Sequence, residues 1–219
     1  LNNDTELTNN WIEPLINELK NEKVASVQPK IRNLNNKKYF DYAGAAGGYI
    51  DILCYPFCRG RIFNTIEEDK LQYESKEKIF WASGTAFITK KEIFIKSGMF
   101  DLTMFAHMEE IDYHWKCHLA GYDVWVEPKS IIYHMGGQTL AFDSPQKTYL
   151  NYRNSLILLL SNYSFGTICK TMPFRGVLEG VAFTKEIAKF QFRHGQPPVL
   201  SNIKSRVTMI LTGKPGRMV

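Results

Sequence analysis

A chain of 219 residues with 27 Lys and Arg against 22 Asp and Glu, formal charge +5, 44% hydrophobic and 13% aromatic, has ordinary globular composition and enough length for one sizeable core. That excludes disorder, collagen and coiled coil. Four cysteines, at 54, 58, 117 and 169, are too few and too scattered for a secreted disulfide scaffold or a zinc ribbon, so a reducing compartment is expected, and the longest aliphatic run, Leu156 to Leu160, falls far short of the roughly 20 apolar residues a spanning helix needs.

The chain opens on Leu1 and the polar cluster Asn2-Asn3-Asp4, which normally follows a buried strand. The expectation is a piece whose upstream sequence supplied more of the fold. Trp11, Ile12, Leu15, Ile16 and Leu19 recur at helical spacing and predict a helix over 10–22, capped by Thr8, Asn9 or Asn10. Val24 to Gln28 reads as a short strand stopped by Pro29. Residues 30–80 show no sustained period, and Cys54 and Cys58 within them read as buried thiols. From Phe80 the run FWASGTAFIT predicts a strand broken at Gly84, followed by a short helix from Lys90 to about Lys96 that ends at Gly98. A clear helix over 109–119 carries Ile111, Trp115 and Leu119 on its apolar side, and two strands follow, 123–126 and 131–134, separated by Pro128. The pattern turns helical at Pro145, first to Leu160, then in pieces to Phe192, and lastly from Leu200 to Leu211. Helix and strand mixed in this order predict α/β layers with a helical C-terminal extension.

Charge divides the chain at the same place. Residues 1–146 hold 16 basic and 20 acidic side chains, net −4, whereas 147–219 hold 11 and 2, net +9. A basic segment mixed with aromatic and aliphatic residues fits an anionic bilayer surface or a nucleic acid. With no helix-turn-helix, finger or RNA-binding aromatic signature, nucleic acid is not expected as a partner.

Three acidic clusters are candidates for chemistry: Asp4 with Glu6, Glu67-Glu68-Asp69, and Glu109-Glu110 with Asp112. The middle one, beside Lys70, reads as a solvated loop. Asp4 stands where a strand ends and a helix begins, the usual ligand crevice of an open α/β sheet, and a carboxylate there can hold a hard divalent cation that also touches phosphate oxygens. Glu109, Glu110 and Asp112 begin a helix, where acidic residues also complement the helix N-terminus and stay ionised. Three within four positions leave a general base or a metal-facing pair equally open. His114 and His118 are four apart without an HExxH arrangement, so no zinc site is expected there. His134 ends an aliphatic strand before Met135-Gly136-Gly137, as a plain strand-end histidine or a ligand group near a tight turn.

The ordered set LNNDTELTNNWIEPLI, WASGTAFITKKEIFIKSGMFD and FAHMEEIDYHWKCHLAGYDVWVEPKSIIYHMGG resembles the second half of a family 2 inverting glycosyltransferase, and more closely the bacterial rhamnosyltransferase-type enzymes of polysaccharide and O-antigen assembly. The resemblance covers residues 1 to about 155. It implies a GT-A nucleotide-diphospho-sugar transferase fold, N-terminally truncated at 1–146 and extended by the basic helical segment 147–219. The DxD motif, which bridges a donor diphosphate through Mn²⁺ or Mg²⁺, falls on Asn2-Asn3-Asp4, leaving Asp4 as its one carboxylate beside Asn2.

The same resemblance places the catalytic base on Glu110, with Glu109 and Asp112 as neighbours able to share the role. It makes His134 a residue near the metal or diphosphate, puts Gly84 and Thr85 on the acceptor side, and makes Trp81 a sugar-stacking platform. Arg153, in NYRNSLILLL, is implied either as a donor or acceptor contact or as a salt-bridge anchor for the extension. The implied partners are a nucleotide-sugar donor, a glycan or lipid-linked acceptor and an anionic membrane surface, with a cytoplasmic location, peripheral on the inner face of the cell membrane. The piece by itself is expected to be inactive, because the strands that hold the nucleotide base precede the motif. The alternative from another class is a non-catalytic binding or assembly module derived from such an enzyme, with Asn2 and Glu110 as relaxed positions.

Overall fold

The computed structural model of the chain describes residues 1–62, 65–135 and 145–193. The helix expected from Leu200 to Leu211 and the Gly136-Gly137 turn lie outside them. In chain order the elements are β1 (Thr5–Leu7), α1 (Ile12–Leu19), β2 (Val24–Asn33), β3 (Gly48–Ile50), β4 (Pro56–Cys58), β5 (Arg61–Ile62), β6 (Thr65–Ile66), β7 (Glu77–Ile79), β8 (Ile88–Thr89), α2 (Lys91–Lys96), α3 (Glu109–Leu119), β9 (Asp123–His134), α4 (Pro145–Asn162) and α5 (Phe165–Arg193). They fall into two compact units, Leu1–Ser164 and Phe165–Val219, so α4 belongs with the first although the charge boundary sets it in the extension.

The first unit is built on the parallel pair β2 and β9. β2 is buried over its first eight residues, as a central parallel strand covered on both faces must be, which is why it shows no alternation. Its other edge pairs with β8, while β9 takes β7 along Val124–Val126 and β1 along Ile132–His134, both antiparallel. Helix α1 packs Leu15 with Val24 and Val27, assisted by Trp11, Leu19 and Trp125. A second cluster joins Ala25, Ile93, Tyr113 and Cys117, uniting β2 with α2 and α3. The four strands β3 to β6 form a separate small antiparallel sheet inside the segment without period, and Cys54 and Cys58 are buried cysteines there.

The longer strands have a shared cause. Pro29 and Pro128 were expected to end strands, yet β2 and β9 run through them, because the pairing passes from Pro29 opposite Glu127 directly to Lys30 opposite Ile131. The bulged residues 128–130 make no ladder bond for a proline to break. The N-terminus of α1 is also not capped as expected: Thr8 Oγ1 donates instead to the Ile131 carbonyl, at 2.7 Å. The run from Phe80 is mostly loop, with only Ile88 and Thr89 forming a strand. Between 165 and 193 there is one helix with Pro173 inside, not several pieces.

Asp69 corrects the solvated reading of its cluster. Its side chain is fully buried, 3.1 Å from Lys30 Nζ and 2.7 Å from Arg32 Nε, and Lys30 itself is buried and also pairs with Glu74. Burial alone would raise the Asp69 pKa, but the bonds from Lys30, the Leu71 amide and Arg32 outweigh it and hold the carboxyl below its usual value. This network pins the 67–74 loop onto β2.

Candidate active site

A chain of contacts gathers segments more than a hundred residues apart. Asp4 Oδ1 lies 3.3 Å from His134 Nε2, and the Met135 amide donates to the Asp4 carbonyl at 3.1 Å. Two residues earlier, the Asn2 amide donates to the Thr85 carbonyl at 2.8 Å, and the neighbouring Gly84 faces the Glu110 carboxyl, to which an added Cβ would come within 3.7 Å. Asn2, Asp4, Gly84, Thr85, Glu110 and His134 therefore share one neighbourhood.

His134 is held from its other side. Its Nδ1 is 3.0 Å from Asp41 Oδ2, a buried carboxylate that also accepts from the Ala43 amide at 2.8 Å. A carboxylate can only accept, so Nδ1 carries the proton and Nε2 turns toward Asp4. Burial would lower the His134 pKa, but the bond and charge of Asp41, then the charge of Asp4 and its contact with Nε2, raise it and favour the imidazolium between the two carboxylates. Asp4 Oδ1 is buried, and its contact with Nε2 is an ion pair too poorly aligned for a good hydrogen bond. A metal cation taking the place of the Nε2 proton would be held by Asp4 Oδ1 and Nε2, with Asp41 in the supporting place behind a ligating histidine. Among the described residues no group of three or more His, Cys, Asp or Glu side chains is arranged to hold a metal ion, so Asp4 and His134 would need oxygens from a ligand to complete such a site.

The other wall is the turn leading into α3. Phe105, His107 and Met108 all have positive φ, at 61°, 69° and 74°. Such backbone is costly for residues with side chains and persists only where the surroundings hold it. Helix α4 does so: Asn154 Nδ2 lies 2.8 Å from the Met104 carbonyl, 2.8 Å from that of Ala106 and 2.7 Å from that of His107. Arg153 Nη2 donates to the carbonyls of Thr103 and Met104, at 2.8 and 3.1 Å.

What this turn presents is unsatisfied. His107 Nε2, Glu109 Oε2 and Glu110 Oε2 are buried polar atoms without a hydrogen-bond partner. Burial, then the charge of Glu109, push the Glu110 pKa up to about 7 against the backbone amides of Glu110, Gly84 and Ile111. The expected helix-dipole effect is thus outweighed, and the group titrates near neutrality. Burial raises Glu109 as well and lowers His107. Asp112 is different: Asn162 Nδ2 donates to Oδ1 at 2.9 Å and Lys116 pairs with Oδ2 at 2.6 Å, so it serves to dock α3 on α4.

His114 and His118 tie α3 to the strand-like run before Gly84, through the Ala82 amide at 3.3 Å and the Phe80 carbonyl at 2.8 Å. Burial drives the His114 pKa down to about 3, keeping it neutral. Trp81 is a correction: it is 6% exposed, its indole lies against Gly48 and its Nε1 donates to the Tyr49 carbonyl at 2.8 Å, so it offers no open face for a sugar.

Sequence reasoning missed Asp41 and Asn154. Asp41 sits in a stretch without period and had no signal. Asn154 had one: it stands between Leu150 and Leu158 at helical spacing, a polar residue on an apolar stripe.

No family model and no curated protein sequence matches the chain. Among solved structures it is similar to the crystal structure of GalNAc-T7 with UDP, GalNAc and Mn²⁺, at TM-score 0.52 and 16% identity over 97% of this chain. The fold is related to that of GT-A glycosyltransferases. The chain spans 40% of the length of GalNAc-T7, and at this identity the GT-A likeness is one of fold alone.

Proposed function

We propose that this chain is the acceptor-side part of a metal-dependent, inverting glycosyltransferase of the rhamnosyltransferase-like type, moving a sugar from a nucleotide-sugar to a glycan or lipid-linked acceptor. The observation that carries the reading is the buried Glu110 Oε2, which has no hydrogen-bond partner, on a carboxyl facing Gly84 in the neighbourhood shared by Asp4 and His134.

In this reading Glu110 takes the proton of an acceptor hydroxyl. The oxygen forms a bond to the anomeric carbon while the bond to the diphosphate breaks, its electron pair leaving with the nucleoside diphosphate on the opposite face. A base titrating near pH 7 is matched to that transfer at neutral pH, an assistance worth about 10² to 10⁴ in rate. Glu109 keeps the Glu110 pKa high by its charge. Asp4 and His134 would hold Mn²⁺ or Mg²⁺, which supplies charge neutralisation for the departing diphosphate. Asn2 lines the donor side, and the backbone of Gly84 and Thr85 the acceptor side. Arg153 acts through the turn it bonds, with Asn154, and not through the donor. Asp112, already paired, is set aside as the base.

Release of nucleoside diphosphate from a panel of UDP-, GDP- and dTDP-sugars by the intact enzyme of which this chain is the acceptor-side part, with and without Mn²⁺ and a mixed glycan acceptor, tests the proposal. Cation-dependent binding of a nucleoside diphosphate without turnover by any donor would leave the binding-module reading in its place.

A further inference from the structure

Helix α5 leaves an apolar face uncovered. Phe174, Val177, Leu178 and Val181 stand at i, i+3, i+4 and i+7, one face of the helix, and are 68%, 68%, 48% and 48% exposed. Among its described side chains the two fully buried ones are polar, Thr171 at 5% exposed and Arg175 at 1%, the latter ion-paired with Glu179 one turn on, and Ile168 and Met172 beside them are half-buried. A contiguous apolar stripe facing outward while an arginine is covered marks a surface that meets an apolar partner.

We propose that this face of α5 seats on an anionic lipid surface, lying in the interface plane. Three observations choose that occupant. No described helix is long and apolar enough to cross a membrane, so α5 can only lie on one. Lys170, exposed, precedes the stripe by one turn. Glu179, the acidic residue among the described side chains of α5, is ion-paired with Arg175 and lies off the stripe. Finally, residues 165–219, the unit that contains α5, hold 9 basic and 2 acidic side chains, net +7, which draws the segment to negative headgroups and sets two copies of it against each other. A nucleic acid would match the charge but has no use for an aliphatic stripe of valine and leucine.

The test is co-sedimentation of the full chain with vesicles of phosphatidylcholine alone and of phosphatidylcholine with phosphatidylglycerol, at low and high salt. Wild-type protein should pellet with the anionic vesicles and be released in part by salt. Val177→Glu with Leu178→Glu, both at exposed positions, should reduce the bound fraction at least about tenfold with unchanged circular dichroism. Lys170→Glu, which leaves the stripe intact, should weaken binding several-fold at low salt only. Wild-type protein left in the supernatant with anionic vesicles overturns the proposal, as does a double variant that binds like wild type. Self-association in solution abolished by the double variant, with vesicle binding unaffected, assigns the stripe to a second copy instead. Nucleoside diphosphate affinity should be the same in every variant, so failure here is separable from failure of the sugar-transfer reading.

Discussion

Two buried carboxylates in the first unit have opposite fates. Asp69 is met by Lys30, Arg32 and a backbone amide and is held below its usual pKa, whereas Glu110 has an oxygen with no partner, a second carboxylate beside it, and a pKa near 7. Both sit in loops or helix starts of similar composition. A cation within reach turns a buried acid into a fastener, and its absence leaves a group ready to exchange protons. The supporting structure differs in the same sense: Asp69 is joined to a central strand, while Glu110 follows a turn of positive-φ residues that α4 must hold in place.

The sharpest way to break this comparison is Glu110→Gln, which keeps shape and removes the base. Turnover should fall by about 10² or more with nucleoside diphosphate affinity nearly unchanged. Glu109→Gln should cost less, and mainly by moving the pH–rate profile toward lower pH, since its charge helps to raise Glu110. Near-normal turnover of Glu110→Gln with an inactive Asp112→Asn would transfer the role to the paired carboxylate and overturn the contrast.

On the other side, Asp69→Ala leaves Lys30 and Arg32 without their shared acceptor and should destabilise the protein by about 3 kcal/mol in denaturant unfolding. Because the folded-state pKa of Asp69 is lowered, its contribution is present above the ordinary carboxyl value of 3.8 and is lost as pH falls below that. A wild-type stability curve flat through that acid range would show the network to be idle.

Asp41→Ala tests the support behind His134. Affinity for Mn²⁺ should drop about 10- to 100-fold, and the imidazole ¹⁵N shifts of the metal-free protein should show loss of the Nδ1–H tautomer. Unchanged shifts would mean that Asp41 does not orient the ring.

The smallest effect is on stability at Glu110. Its raised pKa favours the folded state while it is protonated, so stability declines as pH climbs from about 4.5 toward 7. Glu110→Gln should therefore melt at a higher temperature than wild type above pH 7, with the difference closing in acid. Equal melting temperatures at both ends would place the carboxylate in solvent.

Much of this protein was legible from local pattern. The helix at 109–119 and the stop at Gly121 follow from a 3.6-residue period, and Asp4, Glu109, Glu110 and His134 stood out as residue types at element boundaries. The small sheet β3 to β6 was not legible, since strands of two or three residues carry no period. Nor were the continuous β2 and β9, whose prolines are excused only by a bulge between partners about a hundred residues apart. Trp81 and Asp69 were misread because exposure depends on what packs against a residue. The sequence by itself determined which elements form and which side chains could take part in chemistry, because spacing and capping act over a few residues. Only tertiary structure decided which carboxylate is neutralised, which histidine is oriented, and that α5 turns its apolar side outward, because charge pairing and burial are set by neighbours the chain brings in from 39 to 93 residues away, as between Lys30 and Asp69 or Asp41 and His134.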